Sequence, residues 1–176
     1  MHPVLIIFAH PTFQNSRVNR ALLNAAQSVP GVKIHDLYER YPDFHINVAH
    51  EQQAMLEAHT IILQHPFHWY SCPSLMKEWL DVVLTRGWAY GSSGEALKGK
   101  RLMSVISTGG PQDSYQKGSS NYYPITELLF PFDQTARLCG MEYLPPLMFH
   151  GALRAEPNAI AAHANHYQQL LTTLAA

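Results

Sequence analysis

The chain has 176 residues, 47% hydrophobic and 14% charged, and its 12 Lys and Arg against 13 Asp and Glu leave a net charge of −1. That balance excludes a disordered chain, and it offers neither the basic stripe of a nucleic-acid binder nor the excess of an acidic carrier protein. Cys72 and Cys139 are too few for a disulfide framework. With no signal sequence they suit a reducing cytoplasm. The apolar runs Val4 to Ala9 and Leu144 to Phe149 are too short to span a bilayer. The 11 histidines predict pH-sensitive solubility below about pH 6. One domain over residues 1–176 is expected.

Val4 to Phe8 is a continuous run of branched and aromatic residues, the pattern of a strand buried on both faces. Val18, Leu22, Ala25, Ala26 and Val29 then fall on one face of a helix, which Pro30-Gly31 stops. A shorter strand follows over Val32 to Leu37, and a helical stretch from Ala49 to Ala58 leads into a third strand, Thr60 to Leu63. Pro73 suits the first turn of a helix whose apolar stripe is Leu75, Trp79, Val82 and Val83. The fourth strand spans Leu102 to Ser107, a helix covers Ile125 to Leu138, and a last strand lies at Leu147 to Phe149. Ile160, Ala164, Tyr167, Leu171 and Leu174 mark a final helix.

Five strand–helix units predict an α/β fold: a five-stranded parallel sheet with helices on both faces. Ligands of such sheets bind beyond the carboxyl ends of the strands, where strand order reverses. The long connections at Tyr90 to Lys100 and Gly109 to Tyr123 are candidates for function.

Three loops carry the chemistry. After the first strand, His10-Pro11-Thr12-Phe13-Gln14-Asn15-Ser16-Arg17-Val18-Asn19 ends at a helix N-terminus, whose free N–H groups suit a phosphate. It has neither a P-loop lysine nor the glycines of a dinucleotide motif; an ordinary capped turn is the alternative. After the third strand, Phe67, Trp69 and Tyr70 stand between Pro66 and Pro73 as a rigid wall for a flat ring, or as a cap on the core. After the fourth, Ser107-Thr108-Gly109-Gly110 lets backbone N–H groups approach a ligand, with Tyr115 nearby. Such donors would favour a reduced flavin, which holds negative charge on its pyrimidine edge. His65 with His68, and His163 with His166, lack a third ligand, so no metal centre is expected. His10-Pro11 also stands where a phospho-accepting receiver domain needs an acidic pair.

Ala9-His10-Pro11 with Ser16 and Asn19, His65-Pro66 through Trp69-Tyr70, Leu75 through Val83, and Ser107 through Gly110 with Tyr115 together resemble the flavodoxin-like NAD(P)H:quinone oxidoreductases. His35 through Tyr38, Tyr41 through Phe44, Gly87 through Gly91 and Asn121 through Pro124 are similar to the ancillary proteins of glutathione-gated potassium-efflux (Kef) systems.

The resemblance implies a flavodoxin-like fold binding FMN, favoured because the C-terminal extension of larger FAD-dependent members is missing, with FAD the alternative. His10, Ser16, Arg17, Val18 and Asn19 would hold the phosphate and ribityl chain. Pro66, Phe67, His68 and Trp69 would line the isoalloxazine, and Ser107, Thr108, Gly109 and Gly110 would meet its pyrimidine edge. Tyr115 is the implied catalytic residue. Many members place a histidine a few residues after that tyrosine; Gly118-Ser119-Ser120-Asn121 has none, which implies slower reduction or reliance on Tyr115 alone.

The implied activity is ping-pong transfer of two electrons from NAD(P)H through FMN to a quinone. A homodimer is also implied, with Trp79, Trp88 and Tyr90 as a candidate apolar patch. A membrane potassium-efflux transporter is the implied partner, reached from the cytoplasmic face, and a regulatory subunit of a potassium/proton antiporter with little turnover is the alternative.

Overall fold

A computed structural model gives the fold over residues 3–176. The strands are β1 (Val4–Phe8), β2 (Val32–Asp36), β3 (Thr60–Pro66), β4 (Arg101–Ser107), β5 (Glu142–Tyr143) and β6 (Leu147–Phe149). The helices are α1 (Arg17–Gln27), α2 (Leu37–Arg40), α3 (Val48–Glu57), α4 (Ser74–Val83), α5 (Ile125–Leu128), α6 (Phe130–Leu138) and α7 (Pro157–Ala175). All strand pairings are parallel, in the order β2-β1-β3-β4-β5, with β6 also on β4.

Strand pleating explains the two cores. Val4, Ile6 and Phe8 point to one face and pack with Val18, Leu22, Ile160, Tyr167 and Leu171 of α1 and α7. Leu5 and Ile7 point to the other and pack with Met55, Leu75, Trp79 and Phe132 of α3, α4 and α6. All five residues of β1 are fully buried, as a central strand covered on both faces requires.

Several expected boundaries move, each for a local reason. β2 stops at Asp36, whose carboxylate accepts the N–H groups of Tyr38 and Glu39 and opens the short α2. Pro73 caps α4 from outside, with an extended ψ of 150°. The expected 125–138 helix breaks at Leu129, ahead of Pro131 in the first turn of α6. The last strand stands where expected, as β6, and an unexpected two-residue strand, β5, precedes it, separated from it by Pro145 and Pro146, which cannot donate to the ladder. The 90–100 connection serves packing: its Leu97, like Ala89 just before it, is fully buried in the α3/α4 core. Trp79 is 1% exposed, which removes it from the apolar surface patch expected for it.

Trp79 is instead one of three donors to a buried carboxylate. Glu51 of α3 accepts from Trp79 Nε1 at 3.0 Å, Tyr41 OH at 2.7 Å and His35 Nδ1 at 3.0 Å. This ties α3 to α4, to β2 and to the end of α2. Burial alone would raise the Glu51 pKa; the bonds from His35, Tyr41 and Trp79 outweigh it and hold the carboxyl below its ordinary 4.5. A lowered folded pKa adds stability that is complete above the unfolded value and is lost as pH falls through the folded one. Glu51→Gln should therefore cost about 2–4 kcal/mol near neutral pH, and the gap to wild type should shrink below about pH 4.5. Urea unfolding of both proteins at about pH 7 and pH 4 measures it. An equal gap at the two pH values would exclude the charge as its source.

Candidate functional site

β1 and β3 are neighbours although the chain visits the outer strand β2 between them, so strand order reverses beside β1. The loops after β1, β3, β4 and β6 meet there around a cleft of about 470 Å³. A larger hollow of about 630 Å³ lies between α1 and β2, lined by Arg20, Asp36, Glu39 and Arg40. It receives none of the β3 or β4 loop residues.

Ser16 opens α1: its Oγ accepts the Asn19 N–H at 3.1 Å. One donor of the first turn is thereby satisfied, and the others remain for a ligand. His10 Nδ1 accepts the Thr12 N–H at 3.2 Å, so the neutral ring carries its proton on Nε2. Burial, and then the nearby His68, lower the His10 pKa to about 4, and the ring is an uncharged donor at neutral pH. Buried Asn19 donates from Nδ2 to Ser107 Oγ at 2.9 Å, joining the first loop to the end of β4. Arg17 donates to the Ala155 carbonyl, reaching the segment after β6.

Phe67 donates its N–H to Ser107 O at 2.8 Å, locking the β3 loop to β4. The chain then turns sharply through Trp69 at φ 47° and Tyr70 at φ 61°, and Ser71 N–H closes the turn on His68 O at 2.9 Å. Two bulky residues in the left-handed region are strained, and such strain concentrates at functional sites. Trp69 is 93% exposed. It does not line the main cleft; with Phe67, Tyr70, Tyr115 and Asn121 it forms an adjoining hollow of about 190 Å³. Phe67 belongs to both, and its ring meets that of Tyr115 edge-on at 6.2 Å.

Thr108 Oγ1 donates to Gly110 O at 2.8 Å and closes the glycine turn. The amides of Gly109 and Gly110 have no acceptor among the described residues. A Cβ on Gly110 would stand 2.7 Å from Ser114 Oγ, so a side chain there would have to displace that hydroxyl. Burial raises the Tyr115 pKa and the Thr108 hydroxyl pulls it partly back. The phenol is a neutral donor at neutral pH.

His10, Ser16, Arg17, Val18, Pro66, Phe67, His68, Ser107, Thr108 and Gly109 all line the main cleft. Asn19 and Gly110 do not line it but bond to Ser107 and Thr108, which do, and Tyr115 and Trp69 face the adjoining hollow. Sequence reasoning did not single out Thr12, Asn15, Ala152 and Leu153, which also line the cleft, or His150, which bonds Thr108. The segment after β6 was findable: it follows the carboxyl end of a strand like the other three loops.

The two histidine pairs are held in other contacts. His65 is buried, with Nδ1 donating to Pro66 O at 2.9 Å, and His163 packs edge-on against Phe149. His35, His50 and Glu51 form the one three-residue group of ligand types among the described residues. The Glu51 oxygens there already take three donors and His50 Nε2 faces Arg40 at 3.2 Å.

The profile of the flavodoxin-like fold matches residues 2–171. The glutathione-regulated potassium-efflux system ancillary protein KefG of Serratia proteamaculans is 49% identical over 164 residues, 93% of this chain and 90% of that protein. Among solved structures, one described as a thermophilic tryptophan halogenase from Streptomycin violaceusniger is 44% identical, covers 94% of this chain and 96% of its own, and has a TM-score of 0.91. General stress protein 14 of Treponema denticola, in complex with FMN, is 38% identical, with 97% and 98% coverage and a TM-score of 0.90. An NADPH-quinone reductase from P. pentosaceus is 37% identical, with 96% and 97% coverage and a TM-score of 0.87.

The Asn19–Ser107 bond is the direct tie between two walls of the cleft. Asn19→Ala removes it and leaves Ser107 Oγ buried, which should cost about 1–3 kcal/mol. The urea midpoint measures this; a loss below about 0.5 kcal/mol would mean that packing alone aligns the loops.

Proposed function

The chain belongs to the flavodoxin-like family, and on that premise we propose that it is an FMN-dependent NAD(P)H:quinone oxidoreductase and an ancillary subunit of a glutathione-regulated potassium-efflux system. The carrying observation is the convergence of a helix N-terminus, an apolar wall and a turn with free amides on one cleft.

The residues fit the cofactor. The first-turn N–H groups of α1, Ser16 Oγ, Arg17 and the Nε2–H of His10 would hold the phosphate and ribityl chain. Pro66, Phe67 and His68 give the ring system its wall, while the Gly109 and Gly110 amides would meet its polar edge. When bound, FMN supplies a ring that accepts a hydride and passes on two electrons. The protein's part is orientation and charge stabilisation. The amide donors are fixed in advance, so they offset negative charge without reorganising. Tyr115, kept protonated by burial, adds a phenol donor.

NAD(P)H and quinone would use the same apolar face in turn, a ping-pong scheme. Trp69, Tyr70 and Tyr115, which line the adjoining hollow, offer flat surfaces for either. Trp69 at 93%, Phe130 at 60% and Leu138 at 58% exposure present apolar area that a second copy would cover. No described helix is long and apolar enough to cross a membrane, so the transporter would be reached as a peripheral partner. The likeness to KefG also favours a second reading, a regulatory subunit with little turnover.

The test is to load purified protein with FMN, remove the excess, and add NADPH without oxygen while following flavin absorbance. Bleaching, then recovery on adding a quinone with no halide present, is expected. Bound flavin that stays oxidised would favour the regulatory reading, and turnover that depends on halide would favour the halogenase description of the structural neighbour. Tyr115→Phe should slow flavin reduction at least about tenfold and leave FMN bound. An unchanged rate would remove Tyr115 from the catalytic residues.

A further inference from the structure

His150 is the first residue after β6, half-buried, with Nδ1 3.0 Å from Thr108 Oγ1 and its ring 5.7 Å from that of Tyr115. Thr108 Oγ1 also lies 2.8 Å from the Gly110 carbonyl, which can only accept. With the hydroxyl proton placed on that carbonyl, the contact to His150 is assigned as Nδ1–H donating to Thr108 Oγ1. The neutral ring therefore has its proton on Nδ1 and its lone pair on Nε2. Protonation occurs on the nitrogen that faces away from Thr108 and breaks none of these bonds.

The surroundings are built to hold this arrangement. Thr108 is fully buried, and its N–H bonds Phe149 O at 2.9 Å. Gly151 N–H bonds Gly110 O at 2.9 Å and Ala152 N–H bonds Thr108 O at 2.8 Å. The segment after β6 is thus laced onto the glycine turn on both sides of His150. Tyr115 is the titratable group in ring contact with His150, and burial, with no neighbouring charge, lowers the imidazole pKa. The ring is neutral at neutral pH and is joined through Thr108 to the turn that carries the free amides of Gly109 and Gly110.

We propose that His150 is a positioning residue of this site: through Thr108 it sets the glycine turn and Tyr115, and its Nε2 takes up one proton when negative charge arrives on the cofactor edge. This rests on the FMN reading. The step would balance: the hydride lost by NAD(P)H goes through the bound cofactor to the quinone, and the proton that Nε2 takes from solvent water is given up as the quinone takes one proton to become the hydroquinone. The sheltered imidazole answers a nearby anion by becoming a cation, an attraction that grows in a partly desolvated site.

Two variants separate positioning from proton uptake. His150→Asn retains an N–H donor near the Nδ1 position and cannot be protonated; His150→Ala loses both functions. The Asn variant should bind FMN within about threefold of wild type, and the Ala variant about tenfold more weakly, the loss of one buried hydrogen bond. In wild type loaded with FMN, imidazole NMR should show the His150 pKa rising by at least about one unit on dithionite reduction. The pH dependence of the FMN midpoint potential should be shallower in the Asn variant. Bound FMN with an unmoved His150 pKa, or an Asn variant with the wild-type pH dependence, would overturn the proposal and leave the oxidoreductase reading standing. No FMN binding by wild type would overturn that reading and this proposal with it.

Discussion

A parallel sheet buried on both faces imposes one constraint from which the rest of this molecule follows. Every strand runs the same way, so every connection leaves from one edge and returns to the other. Residues far apart in the chain, such as Ser16, Phe67, Gly109 and Leu153, are thereby delivered to one place without contacts designed for each. The reversal of strand order beside β1 opens the gap between neighbouring connections. The sheet itself needs only apolar residues of about the right size; the chemistry needs the edge.

Convergence alone leaves loops that slide, and the site depends on ties that fix them against one another. Asn19 to Ser107 joins the first loop to β4, Phe67 N–H to Ser107 O joins the second, and the Thr108 and Gly110 bonds join the last. Ser107 and Thr108 are the common node. Both are buried, and both sit where β4 ends, flanked by β3 and β6. A central strand end is the stiffest place from which to anchor mobile connections. Turn strain at Trp69 and Tyr70 is sustained on this footing, since a left-handed bulky residue persists only where its surroundings over-determine it.

The fold was legible because hydrophobic periodicity reports burial, and burial in this architecture follows from chain order. β1, β3, β4 and α7 all read directly from apolar spacing. The short α2 did not, because Asp36 capping is a two-residue event inside a run that also reads as strand. Trp79 shows the limit of composition: an indole on an apolar stripe reads equally as core or surface, and only the position of Glu51, 28 residues away in the chain, decides it. In the cleft, the residues found early lie in loops with conspicuous glycine, proline or aromatic content. Ala152 and Leu153 carry no chemical signal of their own. They matter through where β6 ends, which Pro145-Pro146 obscures.

The electrostatics of the cleft explain why so many histidines coexist with so little charge. His10, His65, His68 and His150 all have pKa values lowered first by burial, and among them only His10 and His65 also feel a neighbouring imidazole. They therefore act at neutral pH as uncharged donors and acceptors. Each of these sheltered rings gains its charge at a lower pH than a free imidazole does, so changes in solubility with pH belong to exposed histidines. Within the cleft, Arg17 supplies the fixed positive charge, and the α1 dipole and unpaired amides supply the remainder. A site built from neutral dipoles attracts an anion at short range without holding a strong field when empty. Such a site suits an anion at one end and leaves the other end free to respond when the charge of a ligand changes.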